Sequence, residues 1–205
     1  LAGADGLAEL ASLLPPSPFR VALRQALKRP DIEQLFMLET TLDKDYWETL
    51  HGRIGRFGWL DRQAATELIG LRADIDRWAV VLRGWRAGLS RQRVLEALPS
   101  LGSLLPAEAV WKALGRDDPA PALKRLFPVG ATEDPLGRSG EVWLLRRLAR
   151  PLRQLVRSVP FDPSVPLAVL LLGELELRDL SAVHDGLQAG ASASTIRAAM
   201  GLGGG

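Results

Sequence analysis

The chain has 205 residues, of which 47% are apolar and 24% charged, so it is long enough and apolar enough to bury a sizeable core. It contains no cysteine and two histidines, which excludes disulfide scaffolds, zinc fingers, thiol nucleophiles and histidine-rich metal sites. The 26 basic residues face 24 acidic ones, and the net charge of +2 excludes an overall polycation.

The apolar residues recur with a helical period along most of the chain, and no stretch alternates cleanly enough to predict a strand. We therefore predict an all-α fold. A short helix is expected near 5–14, and a second helix begins where the capping residue Ser17 is followed by Pro18. The opening LAGADGLAEL has no initiating methionine and no basic region, so we expect a trimmed start without a secretory signal.

The next elements are longer. The segment 36–57 predicts one helix or two abutting ones, and a long helix follows over about 61–87 until Gly88 ends it. Ser90 then caps a short helix that stops at Pro99.

Five prolines interrupt the stretch 102–140, where short helices are expected over 107–114 and 122–127. A helix over 139–158 contains Pro151, which predicts a kink. The last elements are a long helix from Asp162 and Pro163 to Gly190, a short helix capped by Ser192 and a flexible tail at 201–205. The longest apolar run, 166–173, is too short to span a membrane.

An internal repeat links the two long helices. Setting 71–98 against 173–200 without gaps pairs Gly84 with Gly186, and Ser90 with Ser192. The Ala-Gly turns and several apolar positions agree in the same frame. We therefore predict two related helical lobes that arose by duplication. The predicted units are an N-terminal helical remnant at 1–30, a lobe at 31–118 and a second lobe, with the Gly-rich tail, at 119–205.

Catalytic chemistry finds little support in the sequence. Neither of the common phosphate-binding glycine motifs occurs in its strand-and-helix context. Ser181, His184 and Asp185 lie within one helical turn, but a regular helix lacks the strained turn and oxyanion donors that activate a serine. Carboxylate pairs such as Asp74 and Asp76 are two residues apart, which directs them to different helix faces. We expect no catalytic residue, no cofactor and no metal site.

The strongest local pattern is a stripe of arginines at spacings of four, three and four on the helix at 139–158: Arg146, Arg150, Arg153 and Arg157. A leucine stripe lies beside it, so the helix is amphipathic with a cationic border. Such a border can contact an acidic protein, nucleic acid or an anionic membrane surface. It can equally be an ordinary surface whose arginines pair with neighbouring acidic residues.

The chain has six tryptophans, and we expect most of them in the core. Trp85 is the exception, because it lies among arginines next to the Gly88 turn and therefore suits a half-exposed position at an interface.

Two segments resemble the C subunit of bacterial and archaeal V/A-type ATPases, which is named the d subunit in the eukaryotic vacuolar enzyme. FMLETTLDKDYWETL fits the family pattern that opens a lobe, through Leu42, Asp43, Tyr46, Trp47 and Leu50. The stretch 160–200 is similar to the family's C-terminal helix pair, through Phe161, Leu170, Glu174, Glu176, Arg178, Asp179, Leu180, Gly186 and Gly190. The resemblance covers 31–205 in pieces, and the order of the segments carries it.

The resemblance implies an all-helical, funnel-like bundle. Family members have three related lobes and are longer, so it also implies that this chain is a fragment or a shortened relative. The implied function is a non-catalytic rotor subunit of a V/A-type rotary ATPase, a socket that links the central-stalk subunits to the membrane proteolipid ring and transmits torque for ATP-coupled ion transport. The protein would be peripheral, on the cytoplasmic face of the membrane.

Partner contacts are expected at seven residues: Arg146, Arg150, Arg153, Arg157, Trp85, Glu174 and Glu176. Under this interpretation no nucleic acid is bound and no segment spans the lipid. The alternative is a helical protein that binds nucleic acid or an anionic membrane surface through the arginine stripe at 146–157.

Overall fold

The computed structural model describes residues 6–28, 35–102, 104–127, 134–158 and 164–202. Within these residues the chain forms ten α-helices and no strand, which confirms the all-α prediction. In chain order they are α1 (Leu7–Leu13), α2 (Pro18–Ala26), α3 (Leu35–Ile54), α4 (Trp59–Arg86), α5 (Arg91–Ala97), α6 (Ala107–Leu114), α7 (Pro119–Leu126), α8 (Arg138–Ser158), α9 (Ser164–Gln188) and α10 (Ala193–Ala199).

Short polar side chains fix several helix starts. Ser17, Ser90 and Ser192 each accept a hydrogen bond from the backbone N–H three residues later, which confirms the three predicted caps. Asp118 caps α7 by accepting from the Ala120 N–H at 3.1 Å. Because of this cap and Pro119, α7 begins three residues earlier than the predicted start at 122.

Other boundaries differ in detail from the sequence prediction. The segment predicted as one or two helices is a single helix, α3, of 20 residues. α8 remains helical through Pro151. Asp162 and Pro163, the predicted start of α9, lie outside the described residues, as do 203–205. The first two residues of the predicted tail are held in place, because Asp179 accepts hydrogen bonds from the N–H groups of Gly201 and Leu202.

The two long-helix and short-helix pairs have the same local geometry at an offset of 102 residues. Gly88 and Gly190 end the turns after α4 and α9 with φ of 68° and 66°, a conformation that favours glycine. A Cβ atom at Gly84 would lie 2.7 Å from Val94, and one at Gly186 would lie 2.6 Å from Ile196. The glycines thus let each short helix pack closely on its long helix. The division into lobes at 31–118 and 119–205, and the funnel shape, stay predictions.

Three apolar clusters hold the described helices together. The largest joins α4 and α5 to the helices from α6 to α9, and a smaller one joins α1, α2 and α3. The third links α3 to α4 through Trp47, Ile54 and Ile69.

The tryptophans divide between core and surface. Trp47 and Trp78 are buried, while Trp85 and Trp143 are half-buried against the largest cluster. Trp59 is 69% exposed, and Trp111 lies at the surface with the Arg91 guanidinium 3.9 Å from its ring centre. Four of the six tryptophans therefore contribute to the core.

Candidate functional site

Two residues of the α8 arginine stripe are hydrogen-bonded to the backbone of the segment that follows α10. Arg146 and Arg153 each donate a hydrogen bond from Nη2 to the backbone, to the Met200 carbonyl at 3.3 Å and the Leu202 carbonyl at 2.8 Å. These bonds fasten the segment after α10 onto α8. Arg150 and Arg157 are exposed. Arg146 is exposed as well, but its bond to Met200 occupies it, so Arg150 and Arg157 are the two stripe residues that we consider open to a partner.

The other three predicted contact residues lie in different surroundings. Glu174 on α9 pairs with Arg72 on α4, with Oε1 2.6 Å from Nη2. Glu176 is exposed on α9. Trp85 is half-buried at the end of α4, next to the core. The seven residues thus lie on three helices, α4, α8 and α9, and their joint role in partner binding stays a prediction.

A charged cleft lies between α3, α4, α8 and α9, and sequence reasoning did not predict it. Its volume is about 470 Å³, and residues of all four helices line it. The ionisable residues in its lining are Asp43, Asp76, Arg83, Arg86, Glu141 and Arg178. Both signs of charge thus meet in one concave surface, which we call the charged cleft.

One wall of the charged cleft is a hydrogen-bonded network around Asp76. The Trp47 indole Nε1–H donates to Oδ2 of Asp76 at 3.0 Å, and Nη1 of Arg72 donates to Oδ1 at 2.7 Å. Nε and Nη2 of Arg72 also donate to Oε1 of Glu174, so this guanidinium joins two long helices. Its centre lies 5.6 Å from the Trp47 ring centre.

These charges alter two pKa values. Burial opposes the charged form of Arg72, but the Asp76 and Glu174 carboxylates outweigh it and raise the pKa of Arg72 above its ordinary value. Desolvation raises the pKa of Asp43, and the nearby Asp76 carboxylate raises it further, against the opposing effect of Arg83. The Asp43 carboxyl group therefore accepts a proton more readily than a free aspartate does.

Ion pairs also form the rim of the cleft. Arg83 on α4 pairs with Glu39 on α3 at 2.9 Å, and Arg178 on α9 pairs with Glu141 on α8. Arg86 donates to the Leu136 carbonyl, which ties the end of α4 to the segment before α8. Half-exposed pairs of this kind contribute little to stability, but they present ordered charges of both signs to a partner.

The described residues that line the cleft include no serine, threonine, histidine or lysine. Within the described ranges no group of three or more His, Asp or Glu residues could hold a metal ion. Ser181 donates its hydroxyl proton to the Leu177 carbonyl of its own helix at 3.0 Å. Ordered, paired charges suit recognition of another macromolecule better than proton transfer or nucleophilic attack.

One local pattern in the sequence indicated part of the network around Asp76. Arg72 and Asp76 are four residues apart on a predicted helix, the spacing of an intrahelical ion pair. No spacing could join Arg72 to Glu174, because 102 residues separate them and only the packing of α4 near α9 brings them together.

Comparison with known proteins identifies the family to which the chain belongs. None of the described helices is sufficiently long and apolar to cross a membrane. No curated protein and no solved structure matches the chain. A family model described as the ATP synthase (C/AC39) subunit matches residues 1–199. Because that match covers almost the whole sequence, the chain belongs to the C/AC39 subunit family of V/A-type ATPases, whose eukaryotic members are named the d subunit.

Proposed function

We propose that this protein is a non-catalytic rotor subunit of a V/A-type rotary ATPase. It acts as a socket between the central-stalk subunits and the membrane proteolipid ring, and it transmits torque for ATP-coupled ion transport. It is a peripheral component on the cytoplasmic face of the membrane. Family membership over residues 1–199 is the observation that carries this proposal.

The charged cleft supports a role in docking. A torque-bearing connector needs polar contact surfaces mounted on stiffly packed helices, and the cleft is built on four helices, three of which contribute buried residues to the largest apolar cluster. We assign the cleft to the stalk side, where a partner's charges can exchange with the rim pairs Arg83–Glu39 and Arg178–Glu141.

We assign two exposed residues of the arginine stripe, Arg150 and Arg157, to the ring side. These residues can be changed without cost to the fold, since they are exposed. Arg146 and Arg153 are unsuitable for a test of binding, because they hold the segment after α10.

The test is affinity capture of the tagged chain from its native membranes at moderate salt, followed by mass spectrometry. We expect the wild-type chain to recover head, stalk and proteolipid subunits. The variant Arg150→Glu with Arg157→Glu should lose at least about tenfold of the proteolipid recovery, which corresponds to about 1.4 kcal/mol. The matched control, Arg62→Glu with Arg125→Glu, changes two exposed arginines outside the stripe and should assemble normally.

Two results would contradict the proposal. Recovery of nucleic acid or anionic lipid without ATPase subunits would favour the alternative function of the arginine stripe, and that binding should fall steeply with salt. Normal proteolipid recovery by the double variant would remove the ring-side assignment while leaving the family role intact.

A further inference from the structure

The described helices repeat in order as well as in detail. α3, α4 and α5 correspond to α8, α9 and α10 at an offset of 102 residues, and each set of three follows a pair of short helices. We call α1–α5 the first half and α6–α10 the second half. This correspondence favours a division of the chain between α5 and α6.

The contact between the halves uses one face of α4. Leu68, Ile75 and Trp78 on this face are 6%, 2% and 1% exposed, and they share a core with residues of α8. Trp78 packs edge-on against Phe127 with ring centres 4.6 Å apart, and Phe127 lies 5.5 Å from Trp143 of α8. The first half thus buries an apolar face of α4 against the second half.

The same face of α9 is exposed. At an offset of 102 residues, Leu68, Ile75 and Trp78 correspond to leucines that are 65–71% exposed, and half-buried Trp85 corresponds to another exposed leucine. We call this row of α9 leucines the α9 ridge: Leu170, Leu177, Leu180 and Leu187. A row of four exposed leucines on one helix face is typical of a surface that binds an apolar partner.

The first half of the chain exposes the complementary surface. Leu144, Leu148 and Leu152 of α8 are at most 5% exposed, and they belong to the core shared with α4. Their counterparts on α3 are Leu42, Tyr46 and Leu50, of which Tyr46 is 59% exposed. These three line a largely apolar groove of about 300 Å³ between α2 and α3, together with Phe19, Ala22 and polar residues at the edge. We call it the α2–α3 groove.

We propose that the α9 ridge of one molecule binds the α2–α3 groove of a second copy of this chain. The contact repeats between molecules the α4-to-α8 contact that already joins the two halves. Each chain carries one ridge and one groove, and the counterparts of both sets of residues lie in the core that α4 and α8 share. The association is therefore head-to-tail, with different surfaces on the two partners.

The experiment uses sedimentation velocity of the full chain over about a hundredfold range of concentration. The ridge variant is Leu177→Asp with Leu180→Asp, and the groove variant is Phe19→Asp with Tyr46→Asp. All four side chains are more than half exposed, so we expect both variants to fold, and circular dichroism checks this. The control, Ser100→Asp with Ala107→Asp, adds the same charge at exposed positions outside both surfaces.

We expect the wild-type chain and the control to associate as concentration rises. Each variant alone should associate at least about tenfold more weakly, because it lacks one of the two surfaces. A mixture of the two variants should form a one-to-one complex and nothing larger, since the intact ridge of one meets the intact groove of the other.

Three outcomes would overturn the proposal. A wild-type chain that stays monomeric throughout the range has no such contact. A groove variant that still dimerises alone would mean that two ridges bind each other. A monomeric wild-type chain that floats with phosphatidylcholine vesicles, when the ridge variant does not, would assign the ridge to lipid.

Discussion

At the residue scale, two buried aspartates hold the chain segments that follow the short helices. Asp74 is 0% exposed and accepts from the Leu104 N–H at 3.1 and 3.2 Å. Asp179 is 6% exposed and accepts from the Gly201 and Leu202 N–H groups at 2.7 and 2.8 Å. A buried carboxylate is stable only when it is paired or hydrogen-bonded, so these contacts explain why charge is tolerated there.

Arg77 lies beside Asp74 and hydrogen-bonds to carbonyl groups of the same segment. Its guanidinium donates to the carbonyls of Pro99 and Leu105. Burial lowers the pKa of Arg77, and the Asp74 carboxylate opposes that shift. Gly102 is required here, because its φ is 105° and a Cβ atom would collide with Asp74 and Arg77.

We expect Asp74→Ala to lower the free energy of unfolding by about 3 kcal/mol, because it leaves the Leu104 N–H unsatisfied and a buried guanidinium without its carboxylate. Asp74→Asn keeps one oxygen acceptor and should cost less. Urea denaturation measures both. As a control, the exposed Asp117→Ala should change stability by less than about 0.5 kcal/mol. A loss for Asp74→Ala as small as that of the control would contradict this interpretation.

At the element scale, each short helix packs on its long helix across a glycine. Gly84 of α4 faces Val94, which is 0% exposed, and Gly186 of α9 faces Ile196, which is half-buried. Val94 cannot move without disturbing the largest apolar cluster, to which it belongs. The outer atoms of Ile196 have more freedom, because that side chain reaches the surface.

The two glycines should therefore respond differently to alanine. Gly84→Ala is expected to cost about 2 kcal/mol through overpacking. Gly186→Ala should change stability by less than about 1 kcal/mol, because Ile196 can turn aside and alanine is the better helix former. Thermal and urea unfolding of both variants checks this. Combining Gly84→Ala with Val94→Ala should cost less than the sum of the single changes; additive losses would show that the close approach is not the cause.

At the scale of the whole molecule, Arg72 joins the two long helices. It pairs with Asp76 on its own helix and with Glu174 on α9, while Trp47 of α3 lies against the guanidinium. The side chain of Arg72 is 15% exposed and that of Glu174 is 50% exposed, so the pair lies at the boundary between core and solvent. The contribution of this ion pair to the free energy of unfolding depends on α4 and α9 being packed near each other.

A double-mutant cycle of Arg72→Met and Glu174→Gln should give a coupling energy of about 1 kcal/mol in urea unfolding. Arg72→Met alone should cost about 2 kcal/mol, since it also leaves Asp76 without a cation. The coupling should weaken at high salt. The exposed pair Lys112 and Glu108 on α6 is the control and should couple more weakly. Equal coupling in both pairs would mean that Arg72 does not link the helices.

Local features of this protein follow from its sequence. Helical periodicity predicted the fold class, and the capping serines and turn glycines predicted where α2, α5 and α10 begin and where α4 and α9 end. These features depend on residues a few positions apart, so pattern reasoning can find them. The order of motifs also indicated the family, which the match over 1–199 confirms.

Which surfaces stay free depends instead on how the helices pack. Packing attached Arg146 and Arg153 to the segment after α10, joined Arg72 to Glu174, and created the charged cleft from four helices. It also buried Leu68 of α4 while leaving its counterpart Leu170 on α9 exposed. Equivalent sequence positions differ in burial because burial depends on which distant helix packs against them. The sequence pattern of a single helix does not contain that information.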